Sequence, residues 1–282
     1  GRVHACVRLR GAEARALNPR KVLLRADLAV DVTAFQPRER VCCQGVLEPE
    51  EHGVQQRVTE QESYQLEAVQ EKPFTFLEQV RLNVGQGEPV QLAACPAVPL
   101  CGESRLIGSK LIFKGSARLQ VLYRCADGGL STGEFELPIS QLMEVSGAGE
   151  EAMCQVGLVL TDLSCELDDG DGRTISVTMG LLAQAVVREE RSMTLLTDAY
   201  STLYDLNAQV RPLALSRVAD RGEREVAVRE LLETGVVPQD VLDAYVTMGD
   251  TAQNREGERV SLTAQVNVHL LCRTEDGETT SV

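Results

Sequence analysis

Apolar and polar residues alternate with a period of two along most of this chain. Val3, Ala5, Val7 and Leu9 fall on one face, with His4, Cys6, Arg8 and Arg10 on the other. That is the pattern of a strand with one buried side. Asn18-Pro19-Arg20-Lys21 has turn chemistry, and Val22–Phe35 alternates again around polar Arg25, Asp27, Asp31 and Thr33. These two stretches predict a β-hairpin. Gln155–Glu166 and Thr174–Val187 predict another, turning through Asp168-Asp169-Gly170-Asp171-Gly172. The strongest strand is Leu111–Arg124, where Phe113, Gly115, Ala117, Leu119, Val121 and Tyr123 share one face. Asp127-Gly128-Gly129 then makes a hairpin turn, and Phe135, Leu137 and Ile139 mark the return strand. Phe74–Leu82 reads as a strand, and Val226–Leu232 is its counterpart later in the chain. Polar Gln36–Glu71 reads as an extended connection or weak strands. Pro89–Ala97 and Pro238–Val246 each predict a short helix, with Pro238 suited to a first helical turn. In the earlier segment Pro96 and Pro99 leave a strand as an equal alternative.

The elements repeat. Lys110–Gly128 and Arg259–Gly277 align at an offset of 149 residues, ending on Asp127-Gly128 and Asp276-Gly277, and Pro89 and Pro238 keep that offset. Val22, Leu24, Leu28, Val30 and Val32 align with Ile175, Val177, Leu181, Ala183 and Ala185 at an offset of 153. The chain is therefore two copies of one β-rich unit, each made of a first and a second half. The expected fold is mainly β: tandem antiparallel β-sandwich-like modules from an internal duplication, with little helix. Gly147-Ala-Gly149-Glu-Glu151 is the best linker, which divides the chain into units 1–148 and 149–282. An alternative phasing takes 73–188 as the complete module, with half modules at 1–50 and 200–282.

At 282 residues, two domains are expected, and 43% hydrophobic content excludes general disorder. Only 4% of residues are aromatic and Trp is absent, so the core must be largely Val, Leu and Ala. A net charge of −14 argues against nucleic acid and anionic membranes as partners. No apolar run approaches the roughly 20 residues of a membrane helix, so no membrane insertion is expected. The start at Gly1, without a signal-peptide pattern, suggests a processed chain or a fragment. The turn at Asp276-Gly277 is followed by too few residues for a full return strand.

No reactive constellation emerges. His4, His52 and His269 are the three histidines, and no pair has metal-ligand spacing. The acidic turn at Asp168–Gly172 lacks the ligand positions of a calcium loop and reads as a solvated hairpin turn. No Gly-x-Ser-x-Gly, phosphate-binding or dinucleotide motif is present. Glu50-Glu51 and Glu150-Glu151 read as linker charge. The chain is expected not to be an enzyme, with no cofactor and no metal site. Nine cysteines are many for a chain of this size. Cys6, Cys125, Cys154, Cys165 and Cys272 read as small strand hydrophobes. Cys42, Cys43, Cys95 and Cys101 fall in expected loops and are the cross-link candidates. Gly115 is expected to allow close backbone approach or a bulge, and Asp127, Gly128, Asp276 and Gly277 to set turns and register.

Several segments together resemble a known family: Leu17–Phe35, Phe74–Val80, Arg105–Gly115, Val121–Arg124 and Leu137–Glu144 look like parts of a SPOCS module, the domain of SipL-like proteins of spore-forming Firmicutes. The likeness runs over essentially the whole chain, and weakens in the second copy, where Ala264 replaces Gly115 and Leu262 replaces Phe113. It implies β-rich modules without catalytic residues that make protein–protein contacts during spore envelope assembly. It also implies a place in the mother-cell cytoplasm during sporulation and later in the coat or exosporium. Many SipL-like proteins carry a LysM tail, and no such segment is present. The expected function is a structural protein of the spore envelope, its partners being itself or other spore-envelope proteins. In its sharpest form, residues 1–50 of one chain complete residues 200–282 of the next by strand addition, head to tail, into filaments or lattices. The alternative is a cell-envelope glycan-binding module using Tyr64, Tyr123, Tyr200, Tyr204 and Tyr245.

Overall fold

The structure is a computed structural model, and it describes residues 2–36, 38–83, 85, 87–168, 170–218 and 226–282. The strands, in chain order, are β1 (Arg2–Asn18), β2 (Lys21–Phe35), β3 (Val54–Arg81), β4 (Pro89–Ala94), β5 (Ala97–Ile107) and β6 (Lys110–Cys125). They continue with β7 (Leu130–Glu144), β8 (Met153–Leu167), β9 (Thr174–Ser201), β10 (Pro238–Glu256), β11 (Arg259–Thr274) and β12 (Thr279–Ser281). All pairings are antiparallel. The fold is all-β, as the period-two pattern predicts.

The strands form separate sheets: β1-β2, then β3-β9-β8, then β4 and β5 on one edge of β6 with β7 on the other, and β10-β11-β12. The second and third of these pack face to face as a sandwich. Its core draws Leu119, Val121 and Tyr123 from β6, Ile139 from β7, and Ile175, Val177, Met179 and Leu181 from β9. Toward the other end Leu111 and Phe113 meet Ala183, Ala185 and Val187, and Phe74 of β3 tilts against Phe113 with ring centroids 6.3 Å apart. The hairpin β8–β9 is thus built into one core with β3–β7.

β3 and β9 are both 28 residues long, well beyond the usual strand. Val54–Leu66 and Arg188–Ser201 continue their pairing past the sandwich as a two-stranded ribbon. The polar stretch from Val54 onward is therefore a full strand, because β9 supplies a partner along its whole length. The connections on either side lie along this ribbon, where Leu196 N donates to Cys43 O (2.8 Å) and Tyr64 N to Ser216 O (2.7 Å).

Two expectations are corrected and one open alternative is resolved. Pro89–Ala97 takes the strand alternative: β4 and the start of β5 lie end to end along β6, broken by Cys95-Pro96. Pro238–Val246 is not a helix but the first half of β10. In both cases Pro opens the strand, a position that requires no ladder donor, and a long neighbouring strand offers its edge. Val226–Leu232, expected as a strand, is irregular backbone with Val226, Val228 and Leu231 exposed.

Candidate functional site

The copies differ in what covers them. In β9 the stripe Ile175, Val177, Met179 and Leu181 is at most 1% exposed, because the sheet built on β6 lies over it. In β2, Val22, Leu24, Leu28, Val30 and Val32 occupy the equivalent positions and are 57–71% exposed. The second halves repeat the contrast. Leu111, Phe113 and Ala117 of β6 are completely buried, whereas their counterparts Val260, Leu262 and Val266 of β11 are 52–77% exposed. Each end of the chain thus carries an apolar sheet face without the layer that covers its internal copy. Isolated apolar side chains on a surface are ordinary, but contiguous stripes on two sheets are not.

The two bare sheets meet where β1 runs beside β10. Arg10 of β1 pairs with Asp250 of β10. On the β1–β2 hairpin Arg8 and Asp31 form an exposed ion pair at 2.7 Å. The Arg188 guanidinium sits 5.9 Å from the centroid of the Phe35 ring, joining the end of β2 to β9. Tyr245 of β10 stacks on His269 of β11, with ring centroids 4.5 Å apart.

The predicted turn residues take matching conformations in both copies. Gly128 has φ +86° and Gly277 has φ +80°, in the left-handed region that favours glycine. Gly128 N donates to Cys125 O and Gly277 N to Thr274 O, each at 2.9 Å, and Asp127 Oδ1 accepts from Gly129 N at 2.9 Å. Gly115 lies where β5 bulges: the ladder slips between Cys101 and Glu103, and a Cβ on Gly115 would strike the Leu100 carbonyl.

In the acidic turn Asp171 accepts from Arg173 N (2.9 Å), Thr174 N (2.8 Å) and Thr174 Oγ1 (2.8 Å). These bonds, led by the one from Arg173 N, hold its carboxyl down at about 2. Its oxygens are thus engaged by the turn's own backbone and hydroxyl. Asp169 lies outside the described residues.

All nine cysteines are free thiols. None of the four cross-link candidates is in a disulfide. Cys42 and Cys43 are exposed, and Cys43 Sγ donates to Gly45 O at 3.3 Å. Cys101, expected in a loop, lies inside β5 opposite Gly115, where β6 offers its edge, and sits 3.7 Å from both Glu103 O and Lys114 O. Cys95 and Cys165 of β8 both pack against the sandwich core. Hydrogen bonding between the two thiols pushes Cys95 well up and draws Cys165 down. Sequence reasoning took Cys165 for a strand hydrophobe, and only the packing of β8 beside the β4–β5 break reveals its partner.

A cleft of about 440 Å³ opens along the β5–β8 border, lined by Tyr64, Glu103, Ser104, Cys154 and Arg188 among others. Ser104 Oγ donates to the Cys154 carbonyl (2.9 Å) across this border. Of the tyrosines proposed for glycan contact, Tyr123 is wholly buried. Among the described residues, no group of three or more His, Cys, Asp and Glu side chains could hold a metal ion.

Residues 93–168 match the family model described as SipL, SPOCS domain, a stretch that runs from β4 through β8. The family is thus the one that the sequence resembles, and it brings a sporulation context. No curated protein matches the chain, and no solved structure does.

Proposed function

We propose that the chain is a non-enzymatic structural protein of the bacterial spore envelope, in the coat or exosporium, that works by β-module contacts and associates with itself. One observation carries this reading: the stripes on β2 and β11 that stand open are the copies of the stripes on β9 and β6 that are buried. The internal sandwich is a template for what such faces pack against. With β1–β2 of one chain covering β10–β11 of the next, the contact is head to tail and propagates into a filament or lattice. Burial of the apolar stripes supplies the driving force, at roughly 25 cal/mol per Å². The protein would be made in the mother-cell cytoplasm and end in the spore's surface layers.

A second reading is favoured by the Arg10–Asp250 pair, which brings β1 beside β10 within one chain. The two faces then close on each other and leave a monomer. Negative-stain microscopy and light scattering of the purified chain separate the two. Ordered fibres or sheets from the native chain, and discrete particles from Leu28→Asp, support head-to-tail assembly. Monomers at all concentrations in both proteins would sink it and leave intrachain closure.

A further inference from the structure

We propose that residues 226–232 are an unpaired strand that adds to the free edge of β2 in a second copy of this chain; this rests on the head-to-tail assembly proposed for the chain and names the segment that completes the contact. The internal sandwich supplies the pattern. There β9 is the middle strand of three, with β8 on one side and β3 on the other. Among the described residues β2, the earlier copy of β9, pairs with β1 alone and leaves its other edge free. Such an edge carries unpaired N–H and C=O groups that can take up a further strand. The counterpart of β3 lies later in the chain. Phe74, Phe76, Glu78 and Val80 of β3 align with Val226, Val228, Glu230 and Leu232 at an offset of 152 residues. In β3 the apolar three pack on the sandwich core. In 226–232 the backbone joins no strand ladder, and Val226, Val228 and Leu232 are 68%, 77% and 56% exposed.

The register carries over as well. Phe74, Phe76 and Val80 stand opposite Leu181, Met179 and Ile175 of β9. Moved onto β2 at the offset of 153 residues, these partners become Leu28 for Val226, Ala26 for Val228 and Val22 for Leu232. Opposed residues of an antiparallel pair share a face, so all six side chains fall on the bare face of β2. The added strand widens that face from two strands to three, as β3 does for β8–β9. On the outer face Glu233 falls opposite Lys21, and Arg229 opposite Arg25 with Asp27 on the diagonal to offset the like charge.

The course of the chain directs the segment to a neighbour. Residues 233–237 link it to β10. At about 3.3 Å per residue they can cross the roughly 10 Å between packed sheets. The segment can thus join the sheet that comes to lie over its own β10–β11, as β3 belongs to the sheet over β4–β7. Within one chain β1 already lies beside β10, with Arg10 paired to Asp250, yet 226–232 stands off β2 and both stripes stay open. The chain's own hairpin therefore leaves the segment unpaired, and the hairpin of a second copy is the partner that remains.

The test is zero-length carbodiimide cross-linking of the full chain, which joins a carboxylate to an amine only where the two meet. Isotope-labelled and unlabelled chains are mixed as dilute monomers, concentrated until light scattering reports assembly, linked and mapped by mass spectrometry. The expected product joins Glu233 of one isotope to Lys21 of the other. Assembly without that link, or with the link only between peptides of one isotope, would overturn the strand addition and leave self-association standing. Failure to assemble at all would overturn both. Val228→Asp changes an exposed residue, so the monomer should melt as the native chain does. The concentration needed for assembly should rise by about tenfold or more, because the charge would enter a buried face. Assembly of Val228→Asp at the native concentration would also overturn the proposal, and the native-chain map decides alone if the variant fails to fold.

Discussion

Val22 of β2 and Ile175 of β9 hold the same place in the two copies, yet Val22 is 69% exposed and Ile175 is completely buried. Their local sequences alternate alike, so the difference lies in the neighbours. Ile175 has the β6 sheet above it and β3 beside it, where it pairs with Val80. Val22 has only β1, opposite Ala16. A two-stranded ribbon is marginal in water when nothing packs on it.

The pair sets the first prediction. Ile175→Ala should cost about 2–5 kcal/mol, from lost burial and the cavity left behind. Val22→Ala should cost less than about 0.5 kcal/mol in dilute solution, where its face is open to water. Urea unfolding of the two variants at low protein concentration checks both. Equal losses would mean that the β2 face is already covered in the monomer.

Gly115 gives the second. A methyl group there meets the Leu100 carbonyl, a backbone atom that cannot turn aside, so Gly115→Ala must push β5 away from β6. A loss of about 2–4 kcal/mol is expected, in the range of overpacked or strained sites. Gly128→Ala meets no atom within 4 Å, but its φ of +86° penalises any side chain, at about 1 kcal/mol. Thermal melts should rank Gly115→Ala well below Gly128→Ala, and the reverse order would refute the close approach at β5.

How far the sequence was readable follows from the range of each interaction. Alternation and turn chemistry are local, so the hairpins at Asn18–Lys21, Asp127-Gly128 and Asp276-Gly277 could be read directly. Gly115 was legible because a glycine inside a strong strand has few other reasons to be there. Pro89–Ala97 stays open between helix and strand, and Pro238–Val246 reads as a helix, because the two compete closely in short apolar runs and the edges of β6 and β11 decide between them. The ribbon of β3 and β9 hides in a polar stretch, since a solvated two-stranded ribbon needs no apolar face. Cys165 as the partner of Cys95 depends on which strand lies beside the β4–β5 break, and no local pattern encodes that.

Asp171 gives a prediction in pH. Its folded value lies near 2, below the ordinary 3.8, because it accepts from Arg173 N, Thr174 N and Thr174 Oγ1. A depressed carboxyl adds stability that is fully present above the unfolded value and lost as pH falls through the folded one. The stability gap between native protein and Asp171→Asn should therefore hold above about pH 4 and shrink between about pH 4 and 2. Carbon-detected titration of the Asp171 carboxyl, together with paired denaturation curves, checks this. A midpoint near 3.8 would show that the turn does not hold the carboxylate.

The thiols give the last. Thiolate is the reactive form, so alkylation rate follows both exposure and acidity. Cys6, Cys42 and Cys43 are exposed and should react with iodoacetamide first. Cys101 and Cys154 are half-buried, with thiols pushed up by burial, and should react more slowly. Cys125 is buried and raised by the same cause, and should be among the last. The sharpest comparison lies inside the hydrogen-bonded pair. Cys165 is the acceptor and its thiol is lowered, while Cys95 is the donor and its thiol is raised, so Cys165 should react ahead of Cys95 although the two are similarly placed on the core. Replacing Cys165 with Ser removes a sulfur partner that favours the protonated Cys95, and Cys95 should then alkylate faster. A time course at pH 8, followed by peptide mass spectrometry, orders all nine sites. Cys95 reacting before Cys165 in the native chain would mean that the hydrogen bond runs the other way.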